Sequence, residues 1–341
     1  MKRLSELLTP RHWRLAVVGV PGIALILFVG RQITDPYHAA VAAGAAFSVG
    51  FGLSRDLLGM RWGAMAAAML GMSVSGALGT LVGQWFPVSA LLSALLAAVC
   101  AALALRNEDL WWVTLQLVIA FMMAGYFPGG LDVAGERALS VLIGGVTEIA
   151  VAICVASMFT HPVQRLPLAL SGPSPQSGIT AAHATRAALA VLISLTVARL
   201  LGLAFDYWAP VTALIVLKPG LHDTRARGWA RLLGTATGSV LAIAWGLAFA
   251  DSHHALALGA VVAIALSYTL QKASYEIFSA CVTMSVVFLV SIGQGGPVIN
   301  SEHRLFATVI GGLVALLVSA PLPHRLRDDD ERDRMGKLPK T

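Results

Sequence analysis

The residues with the most chemical potential in this sequence are charged groups placed where charge is disfavoured. Lys218 closes the stretch Tyr207–Gly220, YWAPVTALIVLKPG, in which an aromatic pair opens an apolar run that Pro219 and Gly220 break. From Trp208 to Leu217 that run is roughly 15 Å of helix, about half the thickness of a bilayer core. An ammonium inside such a segment attracts a carboxylate far more strongly than it would in water. The competing reading is a lysine whose long stem snorkels to the headgroups. Tyr207 and Trp208 are candidates to stack on an aromatic ring, or members of an interfacial aromatic belt.

Other charges recur at fixed spacing. Arg55 and Arg61 stand 170 residues before Arg225 and Arg231, as Tyr37 does before Tyr207. These arginines fit a basic funnel that concentrates anions, or positive anchors that set topology. Arg137 opens RALSVLIGGV and Arg304 opens RLFATVIGGL, 167 residues apart. They fit a ring at an outer mouth, or ion pairs with Glu136 and Glu302. Glu148, in IGGVTEIAVAIC, is an intramembrane carboxylate. Such a group is a candidate proton carrier for coupling, with a hydrogen-bonded structural acid as the alternative; its counterpart is Ala315, so either role breaks the symmetry. No P-loop, nucleophile elbow, HExxH or paired-carboxylate motif is present. Neither an enzyme nor an ATP-driven pump is therefore expected. Cys100, Cys154 and Cys281 sit in apolar runs without ligand spacing and read as packing residues, so no metal or other cofactor is expected. His38, His183, His222, His253, His254 and His303 cluster near predicted segment ends and read as interfacial.

The elements that must position these residues are membrane spans. The 341-residue chain is 57% hydrophobic and 12% charged, with a mean hydropathy of +0.76. A soluble domain carries about 25% charged residues. Apolar runs between charged or Pro/Gly breaks number about twelve, near 14–33, 38–54, 62–83, 87–105, 110–127, 137–159, 185–204, 208–221, 230–250, 254–270, 276–292 and 304–321. The fold class is an all-α polytopic membrane protein of two parallel six-helix repeats. Residues 1–160 form the first repeat, 161–182 a Pro/Ser/Gly-rich linker, 183–321 the second repeat and 322–341 a charged tail. With the N-terminus inside, every Lys and Arg falls on the cytoplasmic side except Arg31, Arg137, Arg199 and Arg304. The positive-inside rule thus places both termini in the cytoplasm. The net charge of +6 follows from this topology and implies no nucleic acid. SGALGTLVG and GTATG carry glycines four apart, the spacing of close helix packing.

Arg186 at the head of a span, then YWAPVTALIVLKPG, then a basic hairpin reaching RLLGTATGS, resembles the integral membrane transporter domain of the fusaric acid resistance family, which includes aromatic acid exporters. The likeness is clearest over Arg186–Gly238 and continues through the Arg304 helix; the first half is a weaker copy, with His38 in place of the tryptophan and no lysine. Plant malate channels of related architecture pair single six-span units, which by likeness implies a fused pseudo-dimer here. Many members carry a large cytoplasmic domain, for which the linker and tail are too short.

The resemblance implies an efflux transporter of small organic anions in a bacterial-type inner membrane. Its expected cargo is aromatic carboxylic acids, its driving force an ion gradient, and its partners the lipid bilayer, a second copy of itself or an accessory efflux component. The substrate contacts then fall on Lys218, Tyr207, Trp208, Arg225, Arg231, Arg304 and Arg137, with Glu148 for coupling and the helix break at Pro219 and Gly220. A passive organic-anion channel and a scaffold without cargo are the alternatives.

Overall fold

The computed structural model describes residues 10–57, 59–159, 177–249, 252–271, 274–294 and 296–320. Most of the expected linker, the whole charged tail, the first nine residues and Lys272 lie outside the described residues. Helix α1 (Pro10–Leu25) continues through a π turn (Ile26–Gly30) to Ile33. There follow α2 (Pro36–Gly50), α3 (Gly63–Val82), α4 (Phe86–Ala104), α5 (Glu108–Gly125) and α6 (Leu131–Ser157). The second half holds α7 (Ser177–Leu200), α8 (Trp208–Val216), α9 (Leu221–Ala248), α10 (His253–Leu270), α11 (Tyr275–Gly293) and α12 (Pro297–Ser319). No strand occurs among the described residues.

Local chemistry starts these helices where the sequence offers caps. Asp35 accepts from the Tyr37 and His38 amides, with Pro36 in the first turn of α2. Asn107 caps α5, and Ser252 and Ser274 cap α10 and α11 in the same way. Each side-chain oxygen satisfies a backbone N–H that the helix itself leaves unpaired.

Among the described residues, nine helices are long and apolar enough to cross a membrane. The remaining three are α5, which opens on Glu108 and Asp109, and the short helices α2 and α8, of 15 and 9 residues. The first-half stretch that read as an uninterrupted crossing is instead α2 followed by a 3-10 turn, Phe51–Ser54. Outward faces are apolar: Leu70, Val74 and Leu78 on α3, and Leu91, Leu95 and Val99 on α4, are exposed in stripes four residues apart. Arginines, a glutamate and hydroxyls are buried instead. That inversion of the soluble pattern is the arrangement a bilayer demands, because lipid tails accept apolar side chains and penalise polar ones.

Pairings recur six helices on. α3 packs on α5 as α9 packs on α11, α2 on α6 as α8 on α12, and α3 on α6 as α9 on α12. Contacts between the halves are related in the same way: α4 meets α7 while α10 meets α1, and α2 meets α11 while α5 meets α8.

Glycine makes the tightest of these contacts possible. A Cβ at Gly79 or Gly83 would strike the carbonyls of Phe121 and Gly125 on α5, and one at Gly234 or Gly238 those of Glu276 and Ala280 on α11. The glycines read as packing positions are therefore packing positions. The matching Ile-Gly-Gly motifs act alike: a Cβ at Gly144 would meet the Ala42 carbonyl of α2, and one at Gly311 the Ala209 carbonyl of α8. Each repeat of the motif seats one short helix. A backbone oxygen cannot swing aside, so Gly311→Ala should lower stability by about 1–3 kcal/mol, the range for overpacking. Its neighbour Gly312 faces nothing within 4 Å, and Gly312→Ala should hold or gain stability, by up to about 1 kcal/mol. Thermal unfolding of the detergent-solubilised protein, followed by size-exclusion chromatography, reads both signs; equal Tm for the two variants would refute the seating role.

Candidate functional site

The short helices and their neighbours α5 and α11 enclose a cavity of about 850 Å³ between the halves. Its basic lining comprises Arg55, Arg137, Lys218, Arg227, Arg231 and Arg304, and among the described residues Glu108 is the one acidic residue in it. Tyr37, Trp111, Trp112, Phe127, Phe205, Tyr207, Trp208, Tyr275 and Phe278 supply aromatic faces. Such a space admits a drug-sized molecule.

The break that ends α8 is built rather than frayed. Leu217 turns to an extended conformation, and the Lys218 amide donates to the Thr224 hydroxyl at 3.0 Å. That hydroxyl lies 2.9 Å from the Gly220 carbonyl and 3.2 Å from that of Lys218. Arg186 on α7 donates from Nη2 to the Pro219 carbonyl at 3.0 Å. The backbone groups that the proline and glycine release thus find side-chain partners, as they must in a dry surrounding. The Lys218 ammonium lies 5.6 Å from the centroid of Trp111 on α5, so it reaches across the cavity toward the first half. Arg227, one helical turn before Arg231 on α9, stacks over Tyr275 at 3.4 Å.

Tyr207 and Trp208 are buried in the cavity wall instead of forming a lipid-facing belt. The Tyr207 ring meets Trp208 at 4.8 Å and Tyr126 at 5.5 Å, and Phe205 and Phe127 complete the cluster. Phe205 holds a φ of 56°, a left-handed conformation that costs a bulky residue strain. At the same end, Asp35 also bonds the His38 ring. That bond holds the Asp35 carboxyl below its usual range.

The recurring arginines part company here. Arg137 donates to the Thr80 hydroxyl, to the Phe127 carbonyl at 2.9 Å and to the Tyr37 hydroxyl at 3.0 Å. Arg304, only 2% exposed, stacks on Trp208 at 3.9 Å, and none of its three nitrogens has a hydrogen-bond partner. Neither forms the ion pair with Glu136 or Glu302 that the sequence left open: Glu136 lies 3.8 Å from His38, and Glu302 is exposed. Arg231 is buried with Nη1 3.4 Å from the Ser279 hydroxyl and its Nε unpartnered. Arg55 is paired with Asp109 at 3.2 Å and Glu108 at 3.5 Å.

Three expectations move. Arg225 is exposed and borders a shallow depression with Leu221, His222 and Ala226, apart from the cavity. Arg227 takes its place; once α9 is known to start at Leu221, the four-residue spacing to Arg231 puts both on one face. His183, read as interfacial, is buried inside the protein on α7. Glu148 lies outside the cavity lining, fully buried, with neither carboxyl oxygen hydrogen-bonded, between Gly22 of α1 and Gly50 of α2. Beside it Tyr268 donates its hydroxyl to the Phe47 carbonyl at 2.8 Å. Among the described residues no cluster of His, Cys, Asp or Glu could hold a metal ion.

Residues 188–318 match the fusaric acid resistance protein-like family, and the resemblance read from the sequence is borne out over that region. It runs from α7 to α12 and contains Lys218, Arg227, Arg231 and Arg304. An uncharacterized protein of Synechocystis sp. is 30% identical over 138 residues. The match covers 39% of this chain and 18% of that relative's length. No solved structure matches the chain.

The break itself is testable. Thr224→Val keeps the shape but removes the hydroxyl shared by one amide and two carbonyls, and should cost about 1–3 kcal/mol, the penalty for unsatisfied buried polar groups. Thr224→Ser should recover most of it. Denaturation midpoints of the purified protein read the difference; equal midpoints for the valine and serine variants would mean the hydroxyl does not hold the break.

Proposed function

We propose that this multi-pass membrane protein, whose second half carries the fusaric acid resistance-type domain, exports small organic anions, aromatic carboxylic acids foremost, through the cavity between its halves. The observation that carries this reading is the cavity's composition: six basic side chains and one acidic one, set among aromatic rings. Cations in a low-dielectric, partly dry space attract an anion strongly, and aromatic walls favour a flat apolar body.

In this reading the chain crosses a bacterial-type inner membrane twelve times, as two parallel six-helix repeats about an axis along the membrane normal, with both termini in the cytoplasm. The recurrence of helix pairings six elements on supports the repeat, and the distribution of Lys and Arg supports the orientation. Two short helices at matching places in the halves are the pattern that marks a transporter's binding site. Lys218, at the predicted cytoplasmic end of the cavity, receives the substrate carboxylate. Glu148, buried against the same helix α2 that lines the cavity, takes up the proton that couples export to a gradient. The partners of this unit are a second copy of itself or an accessory efflux component.

Lys218→Ala should lose most of the transport while leaving protein in the membrane. One charge-assisted contact, about 1.5–3 kcal/mol, corresponds to a ten- to hundred-fold loss. Lys218→Arg should keep part of it, since charge survives but the compact ammonium does not. Efflux of labelled 4-hydroxybenzoate from proteoliposomes, normalised to inserted protein, measures both; wild-type efflux from Lys218→Ala would remove the lysine from the path. With an imposed pH gradient, Glu148→Gln should abolish acceleration by the gradient and leave exchange intact. Wild-type flux that ignores the gradient would make the protein a passive anion channel.

A further inference from the structure

Arg304 stands out among the arginines of the cavity because no hydrogen bond or ion pair reaches any of its three nitrogens. Arg137 and Arg55 of the first half are bonded to hydroxyls, carbonyls or carboxylates. Arg304 is almost fully buried, and its Nε, Nη1 and Nη2 are all unpartnered while it lines the cavity. Arg231, whose charge bears on it, also has an unpartnered Nε, although its Nη1 lies 3.4 Å from the Ser279 hydroxyl. A buried guanidinium without hydrogen-bond partners is costly to the fold, and a second charge of the same sign beside it compounds the cost. A ligand anion removes it.

Geometry narrows the ligand. The guanidinium carbon lies over the Trp208 indole, 3.9 Å from its centroid. The indole covers one side of the group, so an oxygen must reach the N–H donors from a side that the indole leaves open. A carboxylate coplanar with the guanidinium fork meets two donors at once. In an aryl carboxylate a flat ring adjoins that group, and Tyr207 and Phe205 line the same cavity. Trp208 and Lys218 are separated by the whole of α8, 9 residues and about 14 Å of helix. One single-ring carboxylate cannot touch both ends.

We propose that Arg304, held against Trp208 and flanked by Arg231, is a carboxylate-recognition station of the path, distinct from Lys218 and selective for planar aryl carboxylates. Its counterpart Arg137 is instead bonded into the fold through Thr80, Phe127 and Tyr37. The proposal rests on the anion-export reading and locates the equilibrium binding step within it.

The test uses the full chain purified in detergent, with binding of labelled benzoate, 4-hydroxybenzoate and salicylate, chloride as competitor, and Tm without ligand. Arg304→Met should weaken binding of these acids by about tenfold or more and raise the ligand-free Tm, because it removes an unpaired buried charge. Arg137→Met should lower Tm, since it strands the Tyr37 and Thr80 hydroxyls and the Phe127 carbonyl. Arg304→Lys should keep some affinity and lose the preference for benzoate over chloride. Arg304→Met that binds benzoate normally, or that lowers Tm as Arg137→Met does, would overturn the station while wild-type export upholds the export reading. Chloride competing as well as the three acids would overturn the carboxylate selectivity. Wild type that neither binds nor exports any of the three acids would end both.

Discussion

A lipid bilayer offers no hydrogen bonds, so every broken helix and every buried charge in this protein must be answered by the protein itself or by a space it encloses. The break at Lys218-Pro219-Gly220 is the point on which the arrangement turns. A proline and a glycine end α8 after nine residues, and that half-length helix would be untenable if it faced lipid. It is tenable because Thr224 and Arg186 take up the freed backbone groups and the remaining side opens on the cavity. Gly311 draws α12 up to the backbone of α8, which fixes where the short helix sits. Cavity, cations and aromatic wall all follow from this placement.

The two halves meet the same constraint differently. In the first, α2 runs unbroken to Gly50, and its cations are absorbed into structure. Arg137 knits α6 to Thr80 of α3 and Tyr37 of α2, and Arg55 pairs with the carboxylates that open α5. The second half keeps the framework and leaves Lys218 and Arg304 without ion-pair partners among the described residues. One half thus bonds its cations into the fold, and the other leaves two of them facing the cavity. In the proposed reading the second arrangement gives up stability for binding, a usual cost of function.

Much of the frame was legible from spacing. Glycines four apart in SGALGTLVG and GTATG proved to be the close helix contacts, since only a residue without a Cβ lets backbones approach so far. The offset of 167 between the Ile-Gly-Gly motifs returned as the same glycine-to-carbonyl contact in both halves. The site was less legible. Arg225 and Arg227 are equivalent in the sequence, two residues apart in a basic hairpin, and only the phase of α9 turns one into the cavity and the other away. Tyr207 and Trp208 have the look of a membrane belt; what buries them is Phe205, beside them in the chain, together with Tyr126 and Phe127, brought from the other half by packing.

The sequence by itself determined the solvent of this protein, the rhythm of its helices, the spacings that recur between its halves and the break after Leu217. Hydropathy, glycine spacing and proline act locally, through transfer energy and backbone geometry that neighbours in the chain suffice to set. Only the tertiary structure decided which recurring arginine is satisfied and which is not. Thr80, Tyr37 and the Phe127 carbonyl reach Arg137 from three separate segments, whereas Arg304 meets an indole face that covers it without taking its hydrogen bonds. Whether a cation is structural or available depends on partners tens or hundreds of residues away, and no local pattern encodes that distance.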